Sequence, residues 1–435
     1  MDKKIVKSHL GISVIGDLDS GKSTTICHLM YKNGNIDDKS LEKFAKLSQD
    51  LGNAEKCKFA FISDKLSLER QLKISIELSR LKLETKSRKF TMYDLPGHIK
   101  YLGNFVAGIS LGDVALLVVS AEEKEFEKGF ANNGQTKQHA LLAYTMGMKQ
   151  IIVGINKMDL TSPCYSQEIF NQIQDEILQY LLKVGFENEH ISFIPYNGII
   201  GENLITPSEN MKWFKGQTLT EALESLKIPL RHPEKSLRIP IHKIFKIKSK
   251  GTCAVGVVKY GKVKMSDNLV IFPGAKKTKC KEILVFHDES KVEALPGDNV
   301  GVNLSNISVN DLHRGMVIGL EYNNPPKEAK SFQAQIIVLN HPKQVKENST
   351  IIVDCHSGQV ECKINILEKF DRKTGEVVKK NPTGIENGEA ALVELTPIKP
   401  MVVEKFEDYP SLGRISLRDN NEVIAVGIVK SVINK

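Results

Sequence analysis

Three short segments carry the residue types that phosphate chemistry needs. Residues 16–23 read GDLDSGKS, which has the spacing G-x-x-x-x-G-K-[ST]. Gly16 and Gly21 permit a sharp loop whose backbone N–H groups face an anion at a helix N-terminus. Asp17, Leu18, Asp19 and Ser20 fill the positions between, where amides rather than side chains cradle phosphate. Lys22 would reach the β- and γ-phosphates, the Ser23 hydroxyl would bind Mg²⁺, and Thr24 completes the segment. The second segment is DLPGH, residues 94–98, in which Asp94 suits Mg²⁺ through a water and the Gly97 N–H suits sensing of a γ-phosphate. The third is NKMD, residues 156–159. Asn156 can hydrogen-bond a base, the Lys157 stem can stack on it, and Asp159 can accept from N1 and N2 of guanine, which selects guanine over adenine. Taken singly, each segment also reads as a turn or a helix cap. In this order, each at the end of an apolar run, the three point to GTP/GDP with Mg²⁺.

Elements must hold these segments in place. LGISVIG (10–16), KFTMYDLPG (89–97), DVALLVVSA (113–121) and QIIVGINKMD (150–159) read as buried strands. STTICHLMYKNG (23–34) and GQTKQHALLAYTMG (134–147) read as helices. Such alternation predicts a doubly wound α/β domain with its ligand at the carboxyl ends of the strands. Proline-rich PLRHPEKSLRIP (229–240) and EYNNPPKEAK (321–330) read as linkers. The runs beyond each linker are short, β-rich and separated by Gly, Asn and Asp turns, as in small barrels or sandwiches.

Composition narrows the class. The chain has 435 residues, 41% hydrophobic and 26% charged, with a formal charge of +8. That is ordinary for a globular protein of two or three domains. The positive balance suits an anionic partner such as RNA or an acidic protein surface, or serves solubility alone. Between residues 242 and 291 there are twelve Lys against four acidic residues, which poses the same alternatives. Seven Cys with no CxxC pair argue against a disulfide framework or zinc site and for reduced thiols in the cytoplasm. No apolar run approaches the ~18 residues of a membrane helix, and the N-terminus lacks the features of a secretory signal.

At these residues the sequence resembles the elongation factor 1-alpha family, the GTPases that carry aminoacyl-tRNA to the ribosome. The resemblance runs nearly end to end, through DSGKST, HLMYKNGNID, DLPGH, FEKGFANNGQTKQHALLAYTMGMKQIIVGINKMD, EALPGDNVGVN, NPPKEA, VLNHP and DYPSLGRISLRD. It implies an α/β P-loop GTPase domain, with a mostly parallel sheet and helices on both faces, followed by two β-barrel domains. The implied limits are 1–232, 233–325 and 326–435. It implies that His98 positions the attacking water, with Lys22 its partner in catalysis, and that Ser75 stands in for a magnesium-binding Thr beside Ser23 and Asp94. The guanine-side loop becomes Asn197, Gly198 and Ile199, of which Asn197 and Gly198 would offer backbone N–H groups to O6. Implied partners are aminoacyl-tRNA, the ribosome and a nucleotide exchange factor, with actin or microtubules as further associates. GTP hydrolysis would be slow or partner-stimulated.

The sequence departs from the family pattern in defined places. Asp17 and Leu18 replace His and Val in the phosphate loop, where Leu18 would gate with Ile74. Leu72 replaces an Arg and Lys73 a Gly in the switch segment ERQLKISI (69–76). In the second domain, Val257, Lys259, Val285 and Asp288 replace Arg, Glu, Glu and His of the pocket that takes the tRNA 3′ end. These changes bring in competing readings. One is a divergent paralogue with weakened tRNA binding that acts as a cytoskeleton-associated structural protein. Another is a release- or rescue-type relative with a protein partner in place of tRNA.

Overall fold

The computed structural model describes residues 7–50, 58–63, 69–70, 75–131, 134–247, 251–285, 289–339, 344–372, 374–419 and 422–435. The chain divides into two compact units, one of residues 1–144 and 148–229, the other of 145–147 and 230–435.

The first unit is built on one six-stranded sheet. Its strands are Ser8–Ile15 (β1), Ser79–Glu84 (β2), Arg88–Asp94 (β3), Val114–Ser120 (β4), Ile151–Asn156 (β5) and Ile191–Pro195 (β6). They lie in the order β2-β3-β1-β4-β5-β6. All neighbours are parallel except β2, which runs antiparallel to β3. The central strands β4 and β5 are buried at every residue, so they read as unbroken apolar runs, as strands covered on both faces do. Edge strand β2 instead alternates buried and half-buried positions. Because β1 lies between β3 and β4, the chain reverses direction of winding beside it, and the crevice for a ligand opens there, at the carboxyl ends.

Helices cover the faces. Lys22–Lys32 (α1) follows β1 directly, and its Ile26 and Leu29 pack with Leu10, Ile12 and Val14 of β1 and Phe90 of β3 in one core. Asp38–Asp50 (α2) and the short Ala60–Ser63 (α3) follow, then Leu102–Ile109 (α4), Glu123–Phe130 (α5), Gln135–Thr145 (α6), Gln167–Val184 (α7) and Leu219–Ser225 (α8). Both sequence-read helices are present, as α1 and α6. The long α7 and strand β6 go beyond the segments picked out from sequence, although α7 carries its own signals. Ser166 caps it by accepting from the Ile169 N–H, and Phe170, Ile173, Ile177 and Leu181 form its buried stripe.

The second unit holds two antiparallel barrels. The first comprises Ile239–Ile247 (β7), Gly251–Val257 (β8), Val263–Lys264 (β9), Asn268–Phe272 (β10), Lys276–Val285 (β11), Glu289–Lys291 (β12), Glu293–Ala294 (β13), Asn299–Leu304 (β14) and Val317–Leu320 (β15). The order β10-β15-β7-β8-β14-β11 closes through a β10–β11 pairing. The second comprises Ala329–Val338 (β16), Val345–Lys346 (β17), Thr350–Cys355 (β18), Gly358–Phe370 (β19), Val377–Lys380 (β20), Gly384–Ile385 (β21), Ala390–Pro397 (β22), Arg414–Asp419 (β23) and Glu422–Asn434 (β24). Its order β18-β23-β24-β16-β22-β19 closes through β18–β19. Both are six-stranded barrels, and each encloses its own apolar core. The segments read as linkers end inside strands, since β7 begins at Ile239 and β16 at Ala329. No helix among the described residues is long and apolar enough to cross a membrane.

The second barrel buries an ion pair. Arg418 donates from Nε to Asp354 Oδ2 at 2.6 Å and from Nη2 to Oδ1 at 3.1 Å, and the two residues are 5% and 1% exposed. Burial pushes the Asp354 carboxyl upward, and Arg418 pulls it back. Removing one partner strands the other charge in the core. Arg418→Ala should therefore cost about 3–5 kcal/mol in chemical denaturation of the unit that contains it. Replacing both residues by apolar side chains of similar volume should cost much less.

Candidate nucleotide-binding site

The loop between β1 and α1 is shaped by its glycines and closed by a lysine. Gly21 adopts the left-handed conformation at φ 91°, and a Cβ there would stand 2.3 Å from Asn156 Nδ2. Only glycine fits both demands. Asp19 is also left-handed at φ 61°, a conformation that Asp tolerates. The carbonyl of Asp17 gathers the loop. It accepts from Lys22 Nζ at 2.6 Å and from Ser20 Oγ at 3.0 Å. Asp17 does more than occupy a free position, because its carboxylate accepts the Leu18 N–H at 2.7 Å. One amide is thereby turned away from an incoming phosphate.

Lys22 is 7% exposed, and burial depresses its ammonium while Asp94, Asp17 and Asp19 oppose that effect. Gly97 lies against it. A Cβ on Gly97 would come within 2.5 Å of Lys22 Nζ, so this glycine makes room for the ammonium. His98 caps the following turn, its Nδ1 accepting from the Lys100 N–H at 3.1 Å, so that Nε2 is the protonated ring nitrogen of a neutral imidazole.

The donors themselves show whether magnesium fits. Ser23 Oγ and Ser75 Oγ lie 3.5 Å apart. Asp94 is 1% exposed, and its Oδ1 is buried with no hydrogen-bond partner among the described residues. Burial raises its carboxyl, while the Ser23 and Ser63 hydroxyls and Lys22 favour the charged form. Two hydroxyls and an unsatisfied carboxylate oxygen are the hard donors that Mg²⁺ takes, with waters in its other positions. The residues fit the ion. Leu72, Lys73 and Ile74 of the switch segment, and with them the Leu18–Ile74 gate, lie outside the described residues.

At the base end the structure uses several expected ligands to brace the protein itself. Asn156 Nδ2 donates to the Ser20 carbonyl at 2.9 Å, and its Oδ1 accepts the Gly198 N–H at 2.8 Å. It therefore ties the phosphate loop to the base-side loop. The Asn197 N–H goes to the Glu202 carbonyl, and Asn197 Oδ1 accepts from the Ile199 and Ile200 amides. In this structure both N–H groups have protein acceptors. The reason is that Asn197 and Asn156 carry side-chain oxygens within reach of a tight turn. Lys157, left-handed at φ 63°, pairs with Glu125 of α5 at 2.6 Å. Asp159 sits two residues further on, in the short turn Met158–Leu160.

A cavity of about 410 Å³ opens among these groups, lined by Leu18, Asp19, Gly21, Lys22, Ser23, Thr24, Ala60, Ser75, Gly97, Glu125, Asn156, Lys157 and Ile199. Gly16, Asp17, Ser20, Asp94, His98, Asp159, Asn197 and Gly198 stand outside that lining. Ala60 and Glu125 were not singled out from sequence, and neither were three residues around the site. Ser63 donates to Asp94 Oδ2 at 2.6 Å. His28 on α1 meets the Gly198 carbonyl at 2.8 Å through Nδ1 and stacks on Phe59. His139 on α6 lies under the loop, stacks on Phe105, and accepts the Gly16 N–H at 3.3 Å through Nδ1. A titratable ring inside a largely apolar helical run was the available signal for the two histidines. Ser63 had none.

In the first barrel, two of the altered positions are buried. Val257 and Val285 are 2% and 4% exposed, and Val285 belongs to the barrel core beside Ile283 and Val300. The Lys259 N–H donates to the Arg238 carbonyl. Asp288 lies outside the described residues. Several lysines of the basic segment are paired, Lys276 with Asp311 at 3.2 Å and Lys277 with Glu321 at 2.7 Å.

Comparison with known proteins agrees with this architecture. The family model for the elongation factor Tu GTP binding domain matches residues 7–228. The model for elongation factor Tu domain 2 matches 251–319, and the GTP-eEF1A C-terminal domain-like model matches 331–430. Among solved structures, the chain is similar to the GTPase-like domain of S. cerevisiae Ski7 bound to GTP, at 19% identity and TM-score 0.78, covering 97% of each chain. It is similar to translation elongation factor SelB from Methanococcus maripaludis with the GTP analogue GppNHp, at 18% identity and TM-score 0.68, over 98% of this chain and 80% of that one. Sup35 complexed with GMPPNP matches at 28% identity over 98% and 95%, with a TM-score of 0.45. The Ski7 and SelB likenesses are ones of fold.

Burial pushes His139 down to about 3, so the ring is neutral in the folded protein and can accept the Gly16 N–H. Unfolded, it takes up a proton near its ordinary 6.5. Because the folded value is the lower one, this stabilisation is complete above 6.5 and is lost as pH falls toward 3. Between pH 6.5 and pH 5 the loss from this one group should be about 2 kcal/mol. Denaturation curves at the two pH values check it: His139→Gln should remove that increment from the acid loss of the parent.

Proposed function

Since the chain belongs to the elongation factor Tu family of GTP-binding translation factors, we propose that it works as an elongation factor 1-alpha-type GTPase that delivers aminoacyl-tRNA to the ribosome. One observation carries the nucleotide part. The loop after β1 (Leu18, Asp19, Gly21, Lys22, Ser23), the segment after β3 (Gly97) and the segment at the end of β5 (Asn156, Lys157) line one cavity of about 410 Å³. The loop amides and Lys22 would hold the β- and γ-phosphates. Gly97 would meet the γ-phosphate with its N–H, and His98, its Nδ1 already occupied, would turn Nε2 to the attacking water. Asp159 would read N1 and N2 of guanine, with the Lys157 stem fixed over the base by Glu125. Ser23, Ser75 and Asp94 would hold Mg²⁺, which supplies charge neutralisation between the phosphates when bound. Catalysis of this kind is positioning plus electrostatic stabilisation, so groups held this firmly before the substrate arrives are what it requires.

The cargo part rests on the family and on the basic first barrel. Against it stand Val285, which fills barrel interior, and Val257, which is buried outside that core, where the family pocket has groups able to make hydrogen bonds. A divergent factor with a weakened grip on the tRNA 3′ end accounts for both facts. The cytoskeletal alternative draws no support from any described feature.

Protection of the aminoacyl ester of a charged tRNA checks the cargo role. With GTP bound, the protein should slow ester hydrolysis, and with GDP bound it should not. Each hydrogen bond that the 3′-end pocket no longer makes should weaken binding by about 10-fold. Absence of protection at every protein concentration, with GTP demonstrably bound, would remove the tRNA role and leave the nucleotide switch.

A further inference from the structure

The carboxylate at the metal face is held from behind by a serine that lies outside the three motif segments. Ser63 ends α3 and donates its hydroxyl to Asp94 Oδ2 at 2.6 Å. Its carbonyl accepts the Ser79 hydroxyl, also at 2.6 Å. Ser79 in turn stands directly opposite Asp94 in the β2–β3 ladder. Ser63, Ser79 and Asp94 thus close a ring, and they are 1%, 6% and 1% exposed. Each link in the ring is between groups that water does not reach, so each would be costly to break.

The ring has a consequence for the carboxylate. With Oδ2 bound by Ser63 and the strand fixed by Ser79, the Asp94 side chain has little rotational freedom left. Oδ1 is then the oxygen presented forward, and it is the one buried without a hydrogen-bond partner among the described residues. Packing does not demand a hydroxyl at position 63. The rest of α3 is Ala-Phe-Ile, and an alanine would fit the same space. The same short helix supplies Ala60 to the cavity wall, so the bond also ties that wall to the metal carboxylate.

On the nucleotide and magnesium reading given above, we propose that Ser63 is a positioning residue of the metal centre: its hydroxyl locks Asp94 so that Oδ1 faces the hydration shell of Mg²⁺. Partners of this kind, one bond removed from the metal, orient the groups that serve it, and removing them typically costs 10–100-fold in metal affinity. Ser63 touches neither nucleotide nor metal and acts only through Asp94.

The test is the release rate of a fluorescent N-methylanthraniloyl GDP as a function of free Mg²⁺, with release in EDTA as the metal-free reference. Ser63→Ala should raise the Mg²⁺ concentration that half-maximally slows release by about 10–100-fold, while its rate in EDTA stays at that of the parent. Ser63→Thr, which keeps the hydroxyl, should titrate close to the parent. A purely structural role would instead speed release equally with and without the metal. That result, or an unshifted Mg²⁺ midpoint in Ser63→Ala, would overturn the assignment while GDP binding stands. Should Ser63→Ala fail to fold, Ser63→Cys, a poorer donor of similar size, is read in the same titration, and an unshifted midpoint there overturns the assignment equally. If the parent holds no GDP at any Mg²⁺ concentration, the nucleotide reading falls and this inference falls with it.

Discussion

A buried ammonium group held by a neutral carbonyl governs the first unit. Lys22 Nζ is nearly sealed from water, and its 2.6 Å partner is the Asp17 backbone oxygen. A cation in that situation is poorly compensated, and it stands ready for an anion. The structure around it serves this arrangement. Gly97 leaves the space that the ammonium fills, Asp94 and Asp19 lower its cost from a distance, and Gly21 bends the chain so that Lys22 begins a helix. His139 remains neutral below the loop, which spares Lys22 a second positive charge at close range.

The same logic appears in the bracing between loops. Asn156 joins the phosphate loop to the base-side loop, and His28 joins that loop to α1 and, through Phe59, to the segment before α3. Ser63 then joins α3 to Asp94. The loops and α3 around the cavity are therefore linked through protein–protein hydrogen bonds and one ring stack. This preorganisation reduces what a ligand must supply in ordering the site. In the second unit the balance runs the other way. Val285 completes an apolar barrel interior and Val257 is buried beside the strand end, and neither can make the polar contacts of the residues they replace.

Most of the fold was legible because its signals are local and strong. Continuous apolar runs marked β1, β3, β4 and β5, and each of β1, β3 and β5 ended on a chemically distinctive segment, so the strand ends and the site were found together. The resemblance supplied the two barrels, which period-two patterning alone left open between barrels and sandwiches. What sequence could not reveal were contacts made between distant residues. Ser63 and Asp94 are distant in sequence and meet only in the fold, and Glu125 reaches Lys157 only because α5 packs against β4, the neighbour of β5. Asn156, Asn197 and Gly198 were identified as belonging to the site, yet their hydrogen bonds go to the protein, since a motif specifies donors and acceptors without saying which neighbour claims them.

The central claim is that this cavity selects a guanine nucleotide, and equilibrium binding of GDP, ADP and XDP in the presence of Mg²⁺ tests it most directly. The parent should bind GDP and discriminate against ADP by about 100-fold or more, because Asp159 would be left without its donors on an adenine ring. Asp159→Asn should shift the preference from GDP toward XDP. Equal affinity for GDP and ADP, binding of neither, or an Asp159→Asn variant that still prefers GDP would contradict the account.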